Sequence, residues 1–234
     1  MNKGQSARSR FGLVGDIHAE DTHLAAALDH FACEQVHGIL AVGDIADGRG
    51  DVDRCVALLE QHRVTTVRGN HDRWLLHGDP PFDRNEWRAM NSFPGATVAD
   101  DLTVRTRAWL RGLPPSCRVE SAAGPMLLCH GFADDDMIFL DEVLVAATEK
   151  ARRRVQGQLQ RLIPDDIAIV VAGHTHRRGV RQIGRLTVVN PGTLRSGDNP
   201  CFAVLDLAAR VVKCFDIDDH GRVLEAETLS TARR

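Results

Sequence analysis

Five short polar clusters in this sequence each stand directly after an apolar run of strand length. Asp16 and His18 follow residues 11–14, and Gly43 with Asp44 follows residues 39–42. Gly69, Asn70, His71 and Asp72 follow residues 64–67, with Arg68 between. His130 follows residues 126–129, and His174 with His176 follows residues 167–172. Short apolar runs rich in Val, Ile and Leu read as buried strands. In a sheet of the parallel type the carboxyl ends of the strands share one edge, and ligands bind beyond that edge. Residues far apart in the sequence are thereby expected to meet at one place.

The segments between the runs support such a sheet. Leu24, Ala27, Leu28 and Phe31 recur at the spacing of one helical face, with Asp21 or Thr22 as N-cap and Gly38 as the stop. Val52, Cys55, Val56 and Leu59 mark a second amphipathic helix, so the chain opens as βαβαβ with right-handed crossovers. From Arg73 to Pro125 the pattern is broken by Pro80, Pro81, Pro94, Pro114 and Pro115. This stretch, at about 73–125, reads as an excursion capping the site, with a helix at about 98–111 that packs Trp109 and Leu110 inward. A long helix is expected at about 140–162, stopped by Pro164. Strands at 179–183, 186–189, 202–205 and 211–215 make the last third mostly antiparallel, ahead of a polar tail from about 217 that reads as a loose edge. Length permits a single domain over residues 1–234.

A chain that is 43% hydrophobic and 26% charged has ample material for a core, and a net charge of -3 argues against a protein that blankets nucleic acid or an anionic membrane. No apolar run approaches a membrane span, and the first ten residues lack a signal-peptide pattern, so a cytoplasmic protein is expected. The six cysteines are scattered and read as reduced and structural. Cys129, next to His130, reads as a strand residue facing the core.

Asp, Asn and His are oxygen and nitrogen donors suited to manganese, iron, zinc, nickel or cobalt. Asp16, His18, Asp44, Asn70, His130, His174 and His176 are too many for one open catalytic ion, and a carboxylate such as Asp44 can bridge two ions about 3.5 to 4 Å apart. Two divalent, or mixed divalent and trivalent, ions are the economical reading, with manganese favoured for assays.

The ordered set DxH, GD, GNH followed by D or E, H, and GHxH resembles the calcineurin-like metallophosphoesterase superfamily, and every element is present between Asp16 and His176. The resemblance implies an α/β fold, a four-layer αββα sandwich of two mixed β-sheets flanked by helices. It implies one ion on Asp16, His18, Asp44 and His176 and another on Asp44, Asn70, His130 and His174. It also implies in-line attack on phosphorus by a metal-bridging hydroxide. His71 then overhangs the site to protonate a leaving oxygen or steady the phosphate, and Asp47 orients it, as in the protein-phosphatase branch. That branch reads GDxxDRG, whereas here Gly48 separates Asp47 from Arg49, so the arginine that would grip phosphate is displaced by one. Arg68 is the other candidate for phosphate contact, with a structural ion pair as the competing reading. Asn190, Pro191 and Gly192 resemble a turn of the small phosphodiesterases, with Thr193 in place of serine.

The expected substrate is a phosphorylated small molecule, a nucleotide polyphosphate or a phosphoprotein. The alternatives are a nuclease, for which the basic run Lys150, Arg152, Arg153 and Arg154 is the cue, and a catalytically silent scaffold of the same fold. Arg177, Arg178, Arg181 and Arg185 are expected to help hold a multiply charged substrate. Nucleic acid is not the favoured partner, no membrane contact is expected, and the oligomeric state is left open.

Overall fold

The computed structural model describes residues 8–77, 102–138, 153 and 157–232. The chain begins β1 (Arg10–Val14), α1 (Asp21–Cys33), β2 (Gly38–Ala41), α2 (Val52–Gln61) and β3 (Thr65–Thr66), with β1, β2 and β3 paired in parallel. The alternation of apolar runs and helical faces requires such crossovers. Leu24, Ala27, Leu28 and Phe31 are buried along α1, and Val52, Cys55, Val56 and Leu59 along α2, as their spacing dictates. Asp51 caps α2, its carboxylate accepting from the Arg54 amide at 2.9 Å.

The ends of α1 differ from expectation. Asp21 is its first helical residue and the cap position falls to Glu20, whose side chain makes no capping hydrogen bond. The Asp21 carboxylate is instead taken by the Asp51 amide and the Arg54 guanidinium, so a tertiary contact has displaced a local one. Gly38 opens β2 rather than ending α1.

The remaining elements are α3 (Asn70–His77), α4 (Val104–Gly112), β4 (Ser116–Ser121), β5 (Gly124–Cys129), β6 (Ile169–Val171), β7 (Gly179–Ile183), β8 (Leu186–Asn190), β9 (Cys201–Asp206), β10 (Val211–Ile217) and β11 (Val223–Ser230). One sheet runs β11-β10-β9-β1-β2-β3 and the other β4-β5-β6-β8-β7, and each mixes parallel and antiparallel pairs.

Strand alternation separates the core into layers. Phe11 and Leu13 of β1, Ala203 and Leu205 of β9, Met126 and Leu128 of β5 and Val171 of β6 pack together between the two sheets. Val14, Phe202 and Val204 face the other way, onto Leu24, Leu28 and Phe31 of α1. Leu127, Cys129, Val170 and Val188 face outward from the second sheet onto Leu159 and Ile163, beside a helical stretch at 157–161. The order helix, sheet, sheet, helix is the four-layer α/β sandwich expected. Because β6 is covered on both faces, its sequence is apolar throughout.

Two expectations need correction. Within the supposed capping excursion at about 73–125, β4 pairs with β5 at the margin of the second sheet and Leu110 of α4 is fully buried in the α1–α2 core. This part of the excursion belongs to the sandwich, its prolines marking loop ends; residues 78–101 lie outside the described residues. The tail after 217 is also ordered, since β11 pairs antiparallel with β10 along residues 223–230. Its polarity reflects an edge strand with little core to cover, and Glu225 and Glu227 charge that edge, which discourages pairing with another chain.

Most of the helix expected at 140–162 lies outside the described residues. All six cysteines are free, and burial pushes the Cys129 thiol up to about 12, as suits an inert core residue. No helix among the described residues is long and apolar enough to cross a membrane.

Candidate metal centre

The loops leaving β1, β2, β3, β5 and β6 converge where the carboxyl ends of the two sheets face each other. Backbone bonds join them: the His18 amide donates to the Asp44 carbonyl at 2.7 Å, and the Gly173 amide to the His130 carbonyl at 2.8 Å. The His174 amide donates to Asp16 Oδ1 at 3.0 Å, linking one sheet to the other.

All seven candidate ligands come together there. One donor atom from each of Asp16, His18, Asp44 and His176 falls within 4.8 Å of the others. On the far side of Asp44, its Oδ2 lies 3.4 Å from His130 Nε2, which is 2.8 Å from Asn70 Oδ1 and 3.2 Å from His174 Nδ1. Asp44 thus belongs to both groups.

The electrostatics fit cations. Burial first, and then the neighbouring Asp16, push the Asp44 carboxyl well above its ordinary range, although His71 pulls the other way. Burial, with His71 and His176 close by, drives His18 well below its ordinary value, and burial with His130 takes His174 down to about 3. Neutral imidazoles are the ligating form. Asp16 Oδ2 is buried with no hydrogen-bond partner among the described residues, a costly arrangement that a cation would relieve.

The backbone is strained at the same place. His18 (φ 47°), Asp44 (φ 49°), His174 (φ 68°) and His176 (φ 57°) all adopt left-handed conformations. Each such residue costs about 1–3 kcal/mol and persists only where its surroundings enforce it. Two glycines make room for the Asp44 loop. A Cβ on Gly69 would sit 2.0 Å from Asp44 Oδ1, and one on Gly43, itself at φ 100°, would sit 2.5 Å from the Gly69 nitrogen.

His71 stands at the mouth of the cluster. Its Nδ1 is 2.7 Å from Asp47 Oδ2, and its Nε2 is 3.9 Å from Asp44 Oδ2. Burial works to lower its pKa, but the Asp44 charge and the Asp47 hydrogen bond outweigh that and leave it raised. Arg49 is exposed on the loop after Asp47. Arg68 lines a cavity of about 600 Å³ with Arg73, Phe132 and Asp136, its Nε buried without a partner among the described residues.

A model of the calcineurin-like phosphoesterase superfamily domain matches residues 10–210. The chain belongs to that superfamily. Its fold is similar to that of a metallophosphoesterase from Sphaerobacter thermophilus, at 20% identity and a TM-score of 0.60 over 90% of this chain and 89% of that one. It is similar also to Yfce, a phosphoesterase from E. coli, at 17% identity and a TM-score of 0.50 over 95% of this chain and 100% of that one. Vps29 complexed with zinc, from Entamoeba histolytica, is 18% identical with a TM-score of 0.52 over 95% of this chain and 99% of that one. At these identities the likeness is one of fold.

In this calcineurin-like domain three residues that are not among the candidate ligands support the centre. The fully buried Asp72 carboxylate accepts from the Ile45, Ala46 and Gly69 amides at 2.9, 3.0 and 3.0 Å, tying the Asp44 loop to the Asn70 loop. Asn190 Nδ2 donates to the Gly173 carbonyl at 2.9 Å and to Thr175 Oγ1 at 3.1 Å, bracing the loop of His174 and His176. Asp198 Oδ2 lies 2.9 Å from His176 Nδ1. Asp72 was legible as the acidic residue after Asn70 and His71, whereas Asp198 had no local signal. Asp72→Ala leaves three buried donors unpaired. It is expected to cost about 3–5 kcal/mol and to lower Tm by about 6–20 °C, read by calorimetry of the metal-free protein. An unchanged Tm would show that the two loops hold together without it.

Proposed function

We propose that this superfamily member is a dinuclear metal-dependent phosphoesterase acting on a small phosphorylated molecule. One ion is assigned to Asp16, His18, Asp44 and His176, the other to Asp44, Asn70, His130 and His174. The observation that carries this reading is the position of Asp44, whose carboxylate is common to both donor groups while the hydrogen-bonded pair of His71 and Asp47 stands over them. When bound, the ions would lower the pKa of a water molecule and take up charge on the nonbridging phosphate oxygens.

The chain's own residues do the rest. Asp44 and Asp16 bring two carboxylates into one buried site where a cation would hold them, and His18 and His174, both pushed toward the neutral form, supply lone pairs. His71 holds a proton on the ring nitrogen turned toward the cluster, and Asp47 fixes that ring through the other nitrogen. That proton is the one to be given to a leaving oxygen. The donor set suits manganese, iron, zinc, nickel or cobalt, and the zinc bound by the Vps29 of similar fold supports including zinc.

Beside the centre opens a cavity of about 900 Å³ whose walls include His176, Arg177, Arg178, Asp198 and Asn199. The polar character of these side chains supports a compact polar leaving group. Two of the basic residues after His176 also carry structural contacts. Arg178 is held by Asp216 and Glu227, and Arg185 donates to the carbonyls of Ile163 at 2.7 Å and Ile167 at 2.5 Å. Arg177, which is exposed, and Arg178 both line the cavity. Of the basic run at Lys150, Arg152, Arg153 and Arg154, only Arg153 falls among the described residues.

The test is hydrolysis of p-nitrophenyl phosphate and of its bis-aryl diester, side by side, with manganese and with chelator. Metal-dependent turnover is expected, with monoester preference marking a phosphatase and diester preference a phosphodiesterase. If neither ester nor any nucleotide polyphosphate is turned over by metal-loaded protein, the scaffold reading takes its place.

A further inference from the structure

We infer that Asp198 is a positioning residue for one ion of the pair: it holds His176 through the nitrogen turned away from the cluster and so sets the affinity of the ion assigned to Asp16, His18, Asp44 and His176, without governing the other. The inference rests on the dinuclear reading proposed above.

The partners of the outward-facing ring nitrogens differ. His18 Nδ1 lies 3.0 Å from the Asp47 carbonyl oxygen, and His130 Nδ1 lies 2.8 Å from the Val42 carbonyl oxygen. His176 Nδ1 faces a carboxylate, Asp198 Oδ2, at 2.9 Å. A carboxylate on the far nitrogen fixes the proton there, leaves the Nε2 lone pair for a cation and makes the imidazole a stronger donor. A carbonyl fixes the tautomer but adds no charge.

His176 is also the ligand in most need of restraint. Its side chain is 22% exposed, against 1% for His18 and 0% for His130. The strand after it, β7, begins only at Gly179. At φ 57°, ahead of β7, the ring meets His18 edge-on at 4.9 Å but is less enclosed than His18 or His130, and the hydrogen bond adds the restraint that full burial supplies to those two.

The loop bearing Asp198 is strapped to another ligand of the same ion. Thr193 Oγ1 donates to the Asp16 carbonyl at 2.7 Å and accepts from the Arg195 amide at 3.0 Å. The Asp198 amide donates to the Arg195 carbonyl at 3.2 Å, and the Arg195 guanidinium lies 3.5 Å from the Asp198 oxygen that faces His176. A continuous path thus runs from Asp16 through Thr193, Arg195 and Asp198 to His176, beginning and ending on one ion's ligands. Among the described residues, Asn70 and His130 take their side-chain hydrogen bonds from each other, from the Val42 carbonyl and from His174 rather than from this loop.

The experiment is a two-step removal of manganese from the loaded full-length protein by a competing chelator, with bound metal counted by elemental analysis. Wild type is expected to hold two ions. Asp198→Ala is expected to weaken one ion about 10- to 100-fold, leaving the other within about 3-fold, so that desalted protein retains close to one. Asp198→Asn keeps an acceptor without the charge and is expected to fall between the two. Because Asp198 is 40% exposed, both variants should fold, which the Tm of the metal-free forms will show. Two ions of unaltered affinity in Asp198→Ala, or equal weakening of both, overturns the inference and leaves the dinuclear reading standing. A wild type that binds fewer than two ions overturns both.

Discussion

Asp44→Asn is expected to abolish binding of both ions and to lower turnover about 10³-fold or more, since several kcal/mol of transition-state stabilisation leave with the metals. The same variant is expected to raise the Tm of the metal-free protein. The Asp44 carboxyl is pushed well above its ordinary value of 3.8 by burial and by Asp16. A carboxyl whose folded pKa is raised keeps its proton longer in the folded state than in the unfolded one. Stability is therefore lost as pH rises from the ordinary value through the folded one, and at neutral pH the metal-free fold carries that cost. Asparagine removes the charge while its side-chain oxygen still accepts from the His71 amide, a bond of 2.9 Å in the native protein. A rise of about 2–6 °C in the metal-free Tm follows for a chain of this size. Manganese should then raise the Tm of wild type and leave that of Asp44→Asn unmoved. Thermal melts with chelator and with manganese, alongside metal counting, read both effects. A variant that retains two ions would remove Asp44 from the shared position.

The parts of the fold that the sequence reveals are those fixed by local periodicity. The faces of α1 and α2 follow from apolar spacing, and the ends of β1, β2, β5 and β6 from the abrupt change from apolar to polar residues. Because parallel strands place those ends on one edge, the seven donors could be grouped before any distance was known. What escaped depends on partners distant in sequence. Asp198 meets His176 across 22 positions of loop and strand, and nothing in its own segment marks it. Arg178 looked available for substrate because charge is visible in a sequence, whereas its partners Asp216 and Glu227, 38 and 49 positions away, become neighbours only through the pairing of β10 with β11. The same pairing explains the misread tail: an edge strand contributes hydrogen bonds more than core, so its alternation is weak.

The proton assigned to His71 gives the second large effect. His71→Asn is expected to keep both ions, because His71 contributes to neither donor group, and to lose about 10²- to 10⁴-fold in turnover. Its direction with pH is fixed by the environment of the ring. Burial disfavours the imidazolium, yet Asp44 and the Asp47 hydrogen bond outweigh it and raise the pKa. A group that must donate its proton works below its pKa, so turnover should fall on the alkaline side as pH passes through that value, and His71→Asn should lack this limb. Bound cations pull the pKa down, which makes the difference between two loaded proteins the useful reading. Asp47→Asn removes one of the raising influences while its amide still reaches Nδ1, at a separation of 2.7 Å in the native protein. The alkaline limb should move to lower pH in that variant with metal content unchanged. Profiles measured with a substrate whose leaving group needs no proton, such as p-nitrophenol, should show a smaller loss for His71→Asn than profiles with an alkyl ester, because only the poorer leaving group depends on protonation. Equal losses with both would move His71 from proton donor to phosphate support, its interaction then being with the phosphate common to the two substrates.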